Sequence, residues 1–168
     1  MSGAGIWLFR SKGTQQLGKL SGRILPACSA PFLKKSTGKN WLPPLHRDRF
    51  IPLMEKFERP EWQGWSTKEG SHFVEPPGTV LSQLVAVRIH LEENTLENGP
   101  LEVIPKSNKG EETNGSRLSL TVSAGGAILL SPLLLHASSK VKEGDRTVLH
   151  FLFGPRHLPK PAQWRWAI

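Results

Sequence analysis

Residues 80–91 read VLSQLVAVRIHL. Apolar and polar positions alternate through this stretch: Val85, Val87, Ile89 and Leu91 fall on one face, and Ala86, Arg88 and His90 on the other. A period of two over that length predicts a β-strand. Downstream, Glu97-Asn98-Gly99-Pro100 supplies turn chemistry, Asn-Gly being a strong turn signal. Short apolar runs recur at 101–104, 118–122, 127–130 and 133–136, and 146–153 (RTVLHFLF) reads as a further strand. Short strands set apart by turn residues predict an all-β core, a sandwich or barrel, with minor helical segments and long loops. No internal repeat, heptad pattern or glycine-rich phosphate loop interrupts that reading.

Upstream the pattern is weaker. Residues 1–23 show no sustained periodicity and read as a basic, irregular N-terminal arm, leaving 24–168 as the β domain. A strand fits 23–32, interrupted by Pro26 and Pro31; 34–40 (KKSTGKN) reads as a loop, and 55–79 as a long, partly ordered insertion. The 168 residues suffice for one domain with its own core, and 14 prolines with 16 glycines favour short elements. One cysteine, Cys28, excludes an internal disulfide and any multi-cysteine zinc site, and points to a reducing, cytoplasmic setting. An acid-free start containing Arg and Ser also has the character of a targeting segment. No apolar run approaches the ~20 residues of a membrane helix.

The net charge of +8 is unevenly placed. Residues 1–47 hold eight basic side chains and no acidic one, while the remaining 121 carry 14 of each sign. An arm of that kind has the charge to touch phosphates. Without an aromatic-interleaved basic motif, nucleic acid is the weakest of the partners considered.

Three residues have the chemistry of metal ligands. In His46-Arg47-Asp48, positions i and i+2 project together from an extended chain. H-x-D is common by chance, and a solvated loop would account for it equally well. His136 closes the apolar run Pro132-Leu133-Leu134-Leu135 and by itself reads as a packed strand-end histidine. Arg146 follows ten residues later, across the turn residues Gly144-Asp145. If 132–137 and 146–153 pair as a hairpin, His136 and Arg146 lie side by side. An arginine fork there suits the far carboxylate of a metal-chelating dicarboxylate. Two histidines, one carboxylate and open positions suit non-haem iron(II). Zinc accepts the same ligands, and Arg146 tilts the choice toward iron. Ser138, two residues beyond His136, offers a hydroxyl to such a carboxylate, and Arg88 a second cation. His150, His90, Trp65 and Phe73 are candidate substrate-pocket residues, with packing as the alternative for each.

These motifs, taken in order, resemble the phytanoyl-CoA dioxygenase family, particularly its bacterial-type members of unassigned substrate. The resemblance runs over about 32–166: from KNWLPPLHRD at 39–48, through GWSTKEG at 64–70 and ENGPLEVIPKSNK at 97–109, to PLLLHASS at 132–139 and RTVLH at 146–150. It implies a double-stranded β-helix, or jelly roll. It implies iron(II) held by His46, Asp48 and His136, and 2-oxoglutarate at Arg146. It also implies decarboxylation to succinate with O2 while a C–H bond of a small organic or lipid-like substrate is hydroxylated. Asp48 speaks against a halogenase-type site. Where the family has Gly-Ser-His-Lys, this chain has Lys106-Ser107-Asn108-Lys109, and Leu45 replaces a common Trp. The family's longer, partly helical N-terminal region is expected to be lacking or replaced. The alternative expectation is a catalytically silent or N-terminally incomplete member that binds a ligand or partner. Substrate identity and oligomeric state are not written in the motifs.

Overall fold

The structure is a computed structural model that describes residues 6–9, 27–29, 32–109 and 114–166. In chain order its elements are β1 (Ile6–Phe9), β2 (Ala27–Ser29), β3 (Phe32–Lys35), β4 (Ile51–Leu53), β5 (Gln63–Lys68), β6 (Ser71–Glu75), the single helical turn α1 (Gly78–Leu81), β7 (Val85–His90) and β8 (Leu101–Val103). A 3-10 turn follows at Ser107–Lys109, then β9 (Leu118–Leu120), β10 (Ala127–Leu130), β11 (His136–Ser138) and β12 (Arg146–Phe153).

All strand pairs are antiparallel. The large sheet runs β1-β10-β7-β12-β2, with β3 also pairing with β12; a second sheet runs β11-β8-β9, and a third β4-β6-β5. Ile51, Leu53, Val74, Ala86, Leu101, Val103, Ile128 and Leu130 drive the assembly by burying apolar surface from all three sheets in one cluster. This is the expected all-β core with minimal helix.

Inside the large sheet the register sets which residues share a face. His150 is opposite Arg88, Val148 opposite His90 and Leu33, and Arg146 opposite Lys35. The inward face of β7 is therefore Ala86-Arg88-His90, while Val85, Val87 and Ile89 lie half-exposed outside. Arg88, His90, Arg146 and His150, together with Lys35, consequently point into the sandwich. That is a costly arrangement unless they serve something.

Several expectations need correction. The strand expected over 80–91 begins only at Val85. Pro77 starts α1, with Val80 N–H and Leu81 N–H donating to its carbonyl at 2.9 and 3.1 Å, so Val80 and Leu81 pack from a helical turn. The insertion expected at 55–79 is largely a hairpin, β5 and β6, laid against β4. Glu69 and Gly70, at φ 49° and 72°, form its two-residue turn. In the stretch expected to be a loop at 34–40, Lys34 and Lys35 belong to β3. The strand expected at 23–32 lies partly outside the described residues; 27–29 is β2, and Phe32 opens β3. Within 1–23, expected to be irregular, Ile6–Phe9 pairs with β10, and the rest lies outside the described residues. The hairpin expected between 132–137 and 146–153 does not form. β11 pairs with β8, and β12 pairs with β7, β2 and β3, so His136 and Arg146 stand on different sheets.

Candidate metal centre

His46 and His136 form a backbone bridge: His46 N–H donates to the His136 carbonyl at 3.0 Å and His136 N–H returns the bond at 2.9 Å. Directly opposed residues of an antiparallel pair share a face, and the two rings stand 4.5 Å apart between centroids. Asp48 N–H donates to the Pro132 carbonyl at 2.9 Å, which continues the pairing and brings its carboxylate onto the same face. Arg47, between the ligands, points the other way. Its guanidinium donates to the carbonyls of Leu133 at 2.8 Å and Ser107 at 2.9 Å, tying the H-x-D segment to the chain before β11.

The three side chains converge. Asp48 Oδ1 is 3.4 Å from His46 Nε2, Asp48 Oδ2 is 3.3 Å from His136 Nε2, and one ligand atom from each residue lies within 4.8 Å of the others. Adjacent donors bound at about 2.1 Å to one cation at right angles stand roughly 3 Å apart, so the set is close to a coordinating geometry. The imidazole partners agree. His46 Nδ1 lies 2.7 Å from the Pro44 carbonyl and His136 Nδ1 2.7 Å from the Leu134 carbonyl. A carbonyl only accepts, so each Nδ1 carries a proton, and each Nε2, the nitrogen facing Asp48, is the one available to a metal. Two imidazole Nε2 atoms and a carboxylate facing one point are a donor set for a cation. The residues present therefore fit a divalent metal. Without one, the hydrogen bond from His46 to Asp48 raises the His46 pKa against the opposing effect of burial. Burial of Asp48 favours its neutral form, but hydrogen bonds from His136 and His46, with the charge of Arg88, hold it well below the usual carboxylate range.

Around this point the charge is positive. Arg88 Nη2 is 3.2 Å from His136 Nε2 and 3.5 Å from Asp48 Oδ2, and its buried Nε has no partner. Arg146 is buried with an unpartnered Nε and makes no ion pair among the described residues; burial and the Arg88 charge push its pKa down to about 10. Burial, then Arg88, takes His150 down to about 3; burial, then Arg146, takes His90 down to about 4. Both imidazoles are thus neutral at pH 7.

A cavity of about 460 Å³ opens over the three ligands. It brings together His46, Asp48, His136, Ser138, Arg88, Arg146, His150 and Phe73 from the sequence-derived candidates. His90 and Trp65 are not in its wall. His90 is fully buried with both ring nitrogens unpartnered among the described residues. Trp65 packs edge-on against Phe57 at 5.3 Å, and both lie against the main apolar core. The wall also holds Leu33, Trp41, Phe50 and Lys68, which sequence reasoning did not single out. Lys35 was missed as well. Fully buried on β3, it donates to Ser138 Oγ at 3.1 Å and to the Ser139 carbonyl at 2.6 Å. Its only sequence signal was its spacing from Leu33, on the inward face of a strand read as a loop. Of the basic residues before Asp48, Lys35 and Arg47 are thus bound into the fold, and Lys34 pairs with Asp145 at 3.2 Å.

An antiparallel β-sandwich with two histidines and a carboxylate at one open end defines a metal-binding β-sandwich of oxygenase type. The phytanoyl-CoA dioxygenase (PhyH) family matches residues 21–148, and the chain belongs to that family. Among solved structures, AviO1 from Streptomyces viridochromogenes Tue57 superposes with TM-score 0.59 at 17% identity, over 92% of this chain and 61% of that one. SnoK, a non-haem alpha-ketoglutarate-dependent carbocyclase of nogalamycin biosynthesis, gives 0.58 at 14%, over 88% and 55%. HygX from Streptomyces hygroscopicus with nickel, 2-oxoglutarate and hygromycin B gives 0.52 at 14%, over 90% and 70%. These likenesses establish the double-stranded β-helix fold. The chain spans 61% and 55% of the AviO1 and SnoK chains. No curated protein matches the sequence. No helix among the described residues is long and apolar enough to cross a membrane.

Proposed function

We propose that the chain is an iron(II)- and 2-oxoglutarate-dependent oxygenase that hydroxylates a C–H bond of a small organic or lipid-like molecule. Iron(II) would be held by His46, Asp48 and His136. When bound, it supplies the activation of O2 that couples decarboxylation of 2-oxoglutarate to oxidation of the substrate: R–H, 2-oxoglutarate and O2 give R–OH, succinate and CO2. The chain's own residues bind and orient. Arg146 takes the distal carboxylate through a two-bond fork, Ser138 adds a hydroxyl, and Arg88 faces the charge nearest the metal. Phe73, Trp41 and Phe50 form an apolar wall for substrate, with neutral His150 beside them as a hydrogen-bonding group.

The observation that carries this reading is the pairing in one cavity of three convergent side chains with a buried Arg146 that makes no ion pair among the described residues. Zinc would satisfy the ligands but leave that arginine without a role. The neighbours support it as well: HygX is described with a small molecule and 2-oxoglutarate bound. Thermal unfolding under anaerobic conditions tests it. Iron(II) at a hundred times its dissociation constant should stabilise the protein by about 2.7 kcal/mol, and 2-oxoglutarate should add to the shift. His136→Ala should lose both effects. Arg146→Ala should keep the metal shift and lose most of the 2-oxoglutarate increment. Melting of wild-type protein that is indifferent to both ligands would count against the reading.

A further inference from the structure

Five basic side chains line the cavity over the metal ligands, Arg47, Arg49, Lys68, Arg88 and Arg146, against a single acidic one, Asp48. A cleft walled by one sign of charge, in a low-dielectric surround, focuses its field and draws in anions. Four of the five have a partner or a task. Arg47 donates to two backbone carbonyls, Arg49 pairs with Glu75, and Arg88 faces Asp48. Arg146 is taken by the distal carboxylate of 2-oxoglutarate. Lys68 is left over: exposed, with no side-chain hydrogen bond or ion pair among the described residues. Glu69, next in the chain, is neither its partner nor part of the wall.

The sheet that presents Lys68 also presents aromatic rings. In β4-β6-β5, Phe73 stands opposite Pro52 on one side and Ser66 on the other. Opposed residues share a face, and so do residues two apart in one strand, which puts Lys68 on the face of Phe73. Phe50, just before β4, joins them in the wall. Its ring lies on the backbone of Gly64, so closely that a Cβ there would stand 2.9 Å from it. His136 is buried and Lys68 exposed, so the ammonium marks the open end of the cavity. One wall thus carries two rings and a lone cation, facing the metal ligands.

The geometry points to a substrate that carries an anionic head, a carboxylate or a phosphate, on an apolar body. The head pairs with Lys68 at the mouth, and the body lies on Phe73 and Phe50 with a C–H bond turned toward the metal ligands. Lys68 is then a specificity-determining residue, outside both the ligand set and the cosubstrate's arginine. The inference rests on the oxygenase reading above and narrows its substrate class. An ion pair in open water contributes little, whereas one covered by a bound apolar body is a stronger, charge-assisted contact.

The test uses octanoate, octyl phosphate, 1-octanol and octylammonium, which share one apolar chain and differ in the charge of the head. Each is titrated calorimetrically and anaerobically into iron(II) protein saturated with 2-oxoglutarate, so that the cosubstrate's place is filled. Wild type should bind octanoate or octyl phosphate roughly 10-fold more tightly than 1-octanol, and octylammonium no better than 1-octanol. The tighter of the two anions assigns the head group. Lys68→Gln should erase the preference and Lys68→Glu should pass it to octylammonium, with 2-oxoglutarate affinity unchanged in both. Lys68 is exposed on a hairpin, so neither change disturbs the core. Wild type that binds 2-oxoglutarate but binds the anions no better than 1-octanol, or binds none of the probes, overturns this inference alone. A preference that survives in Lys68→Gln overturns it too, as does a matching loss of 2-oxoglutarate affinity, which would place Lys68 in the cosubstrate site. Wild type that binds no 2-oxoglutarate overturns the oxygenase reading and this inference with it.

Discussion

Lys106 holds a left-handed backbone, φ 66°, at the position where the family resemblance implies glycine. The turn it makes is nevertheless kept. Ser107 Oγ donates to the Ile104 carbonyl at 2.7 Å and accepts from Leu135 N–H at 2.8 Å, so the turn is bolted to the segment before His136. A non-glycine residue in that conformation costs about 1–2 kcal/mol. Lys106→Gly should therefore stabilise the protein by about 1 kcal/mol in chemical denaturation, and a loss of stability would contradict the account. Lys35 makes the second prediction at this scale. With its folded pKa near 8 against 10.5 unfolded, the penalty for burying its charge is full below pH 8 and lifts as pH rises from 8 toward 10.5. Wild type should gain stability relative to Lys35→Met across that window, read from paired denaturation curves. His46 and Asp48 were legible because i and i+2 share a face in any extended chain. Lys35 was not, because a basic residue in KKSTGKN has solvent as its ordinary fate, and only the β3–β12 register turns it inward.

At the scale of elements, the corner at Gly99 holds β11 in place. Gly99 has φ 74°, and a Cβ there would stand 2.8 Å from the Ser139 carbonyl. Gly99→Ala should cost about 2 kcal/mol or more. It should also weaken metal binding, because Ser139 follows directly on the strand that carries His136. An alanine variant of wild-type stability and metal affinity would remove Gly99 from the account. The Asn-Gly signal at this corner was readable in advance. The β5–β6 hairpin was not, since its turn uses Glu69-Gly70 and places a bulky, charged residue at φ 49°. Glu69→Asn, better suited to that turn, should raise stability by about 0.5–1 kcal/mol in thermal unfolding. The pairing of β11 was misread for a related reason. Short sequence separation favoured a hairpin with β12, but β8 on one side and His46 on the other occupy the two edges of β11.

Across the whole molecule, the large sheet and the β11-β8-β9 sheet enclose a polar cavity beside the shared apolar core. The wall of β7 and β12 supplies Arg88, Arg146 and His150, and the opposite sheet supplies His136 and Ser138. Sequence alternation showed which residues share a strand face, but not that the inward face is the one with the charges. That depends on what the opposite sheet brings to meet it. The all-β class and the residues of the His46-Asp48-His136 cluster were legible; the cavity wall of Leu33, Trp41, Phe50 and Lys68 was not, because it is assembled from segments far apart in the chain. Together these parts make the proposed site for iron(II) and 2-oxoglutarate. Its most direct test is an anaerobic optical titration in which iron(II) and then 2-oxoglutarate are added to folded protein. Wild type should show a visible metal-to-ligand charge-transfer band that His136→Ala abolishes. The absence of that band in folded wild-type protein at saturating concentrations of both would contradict it.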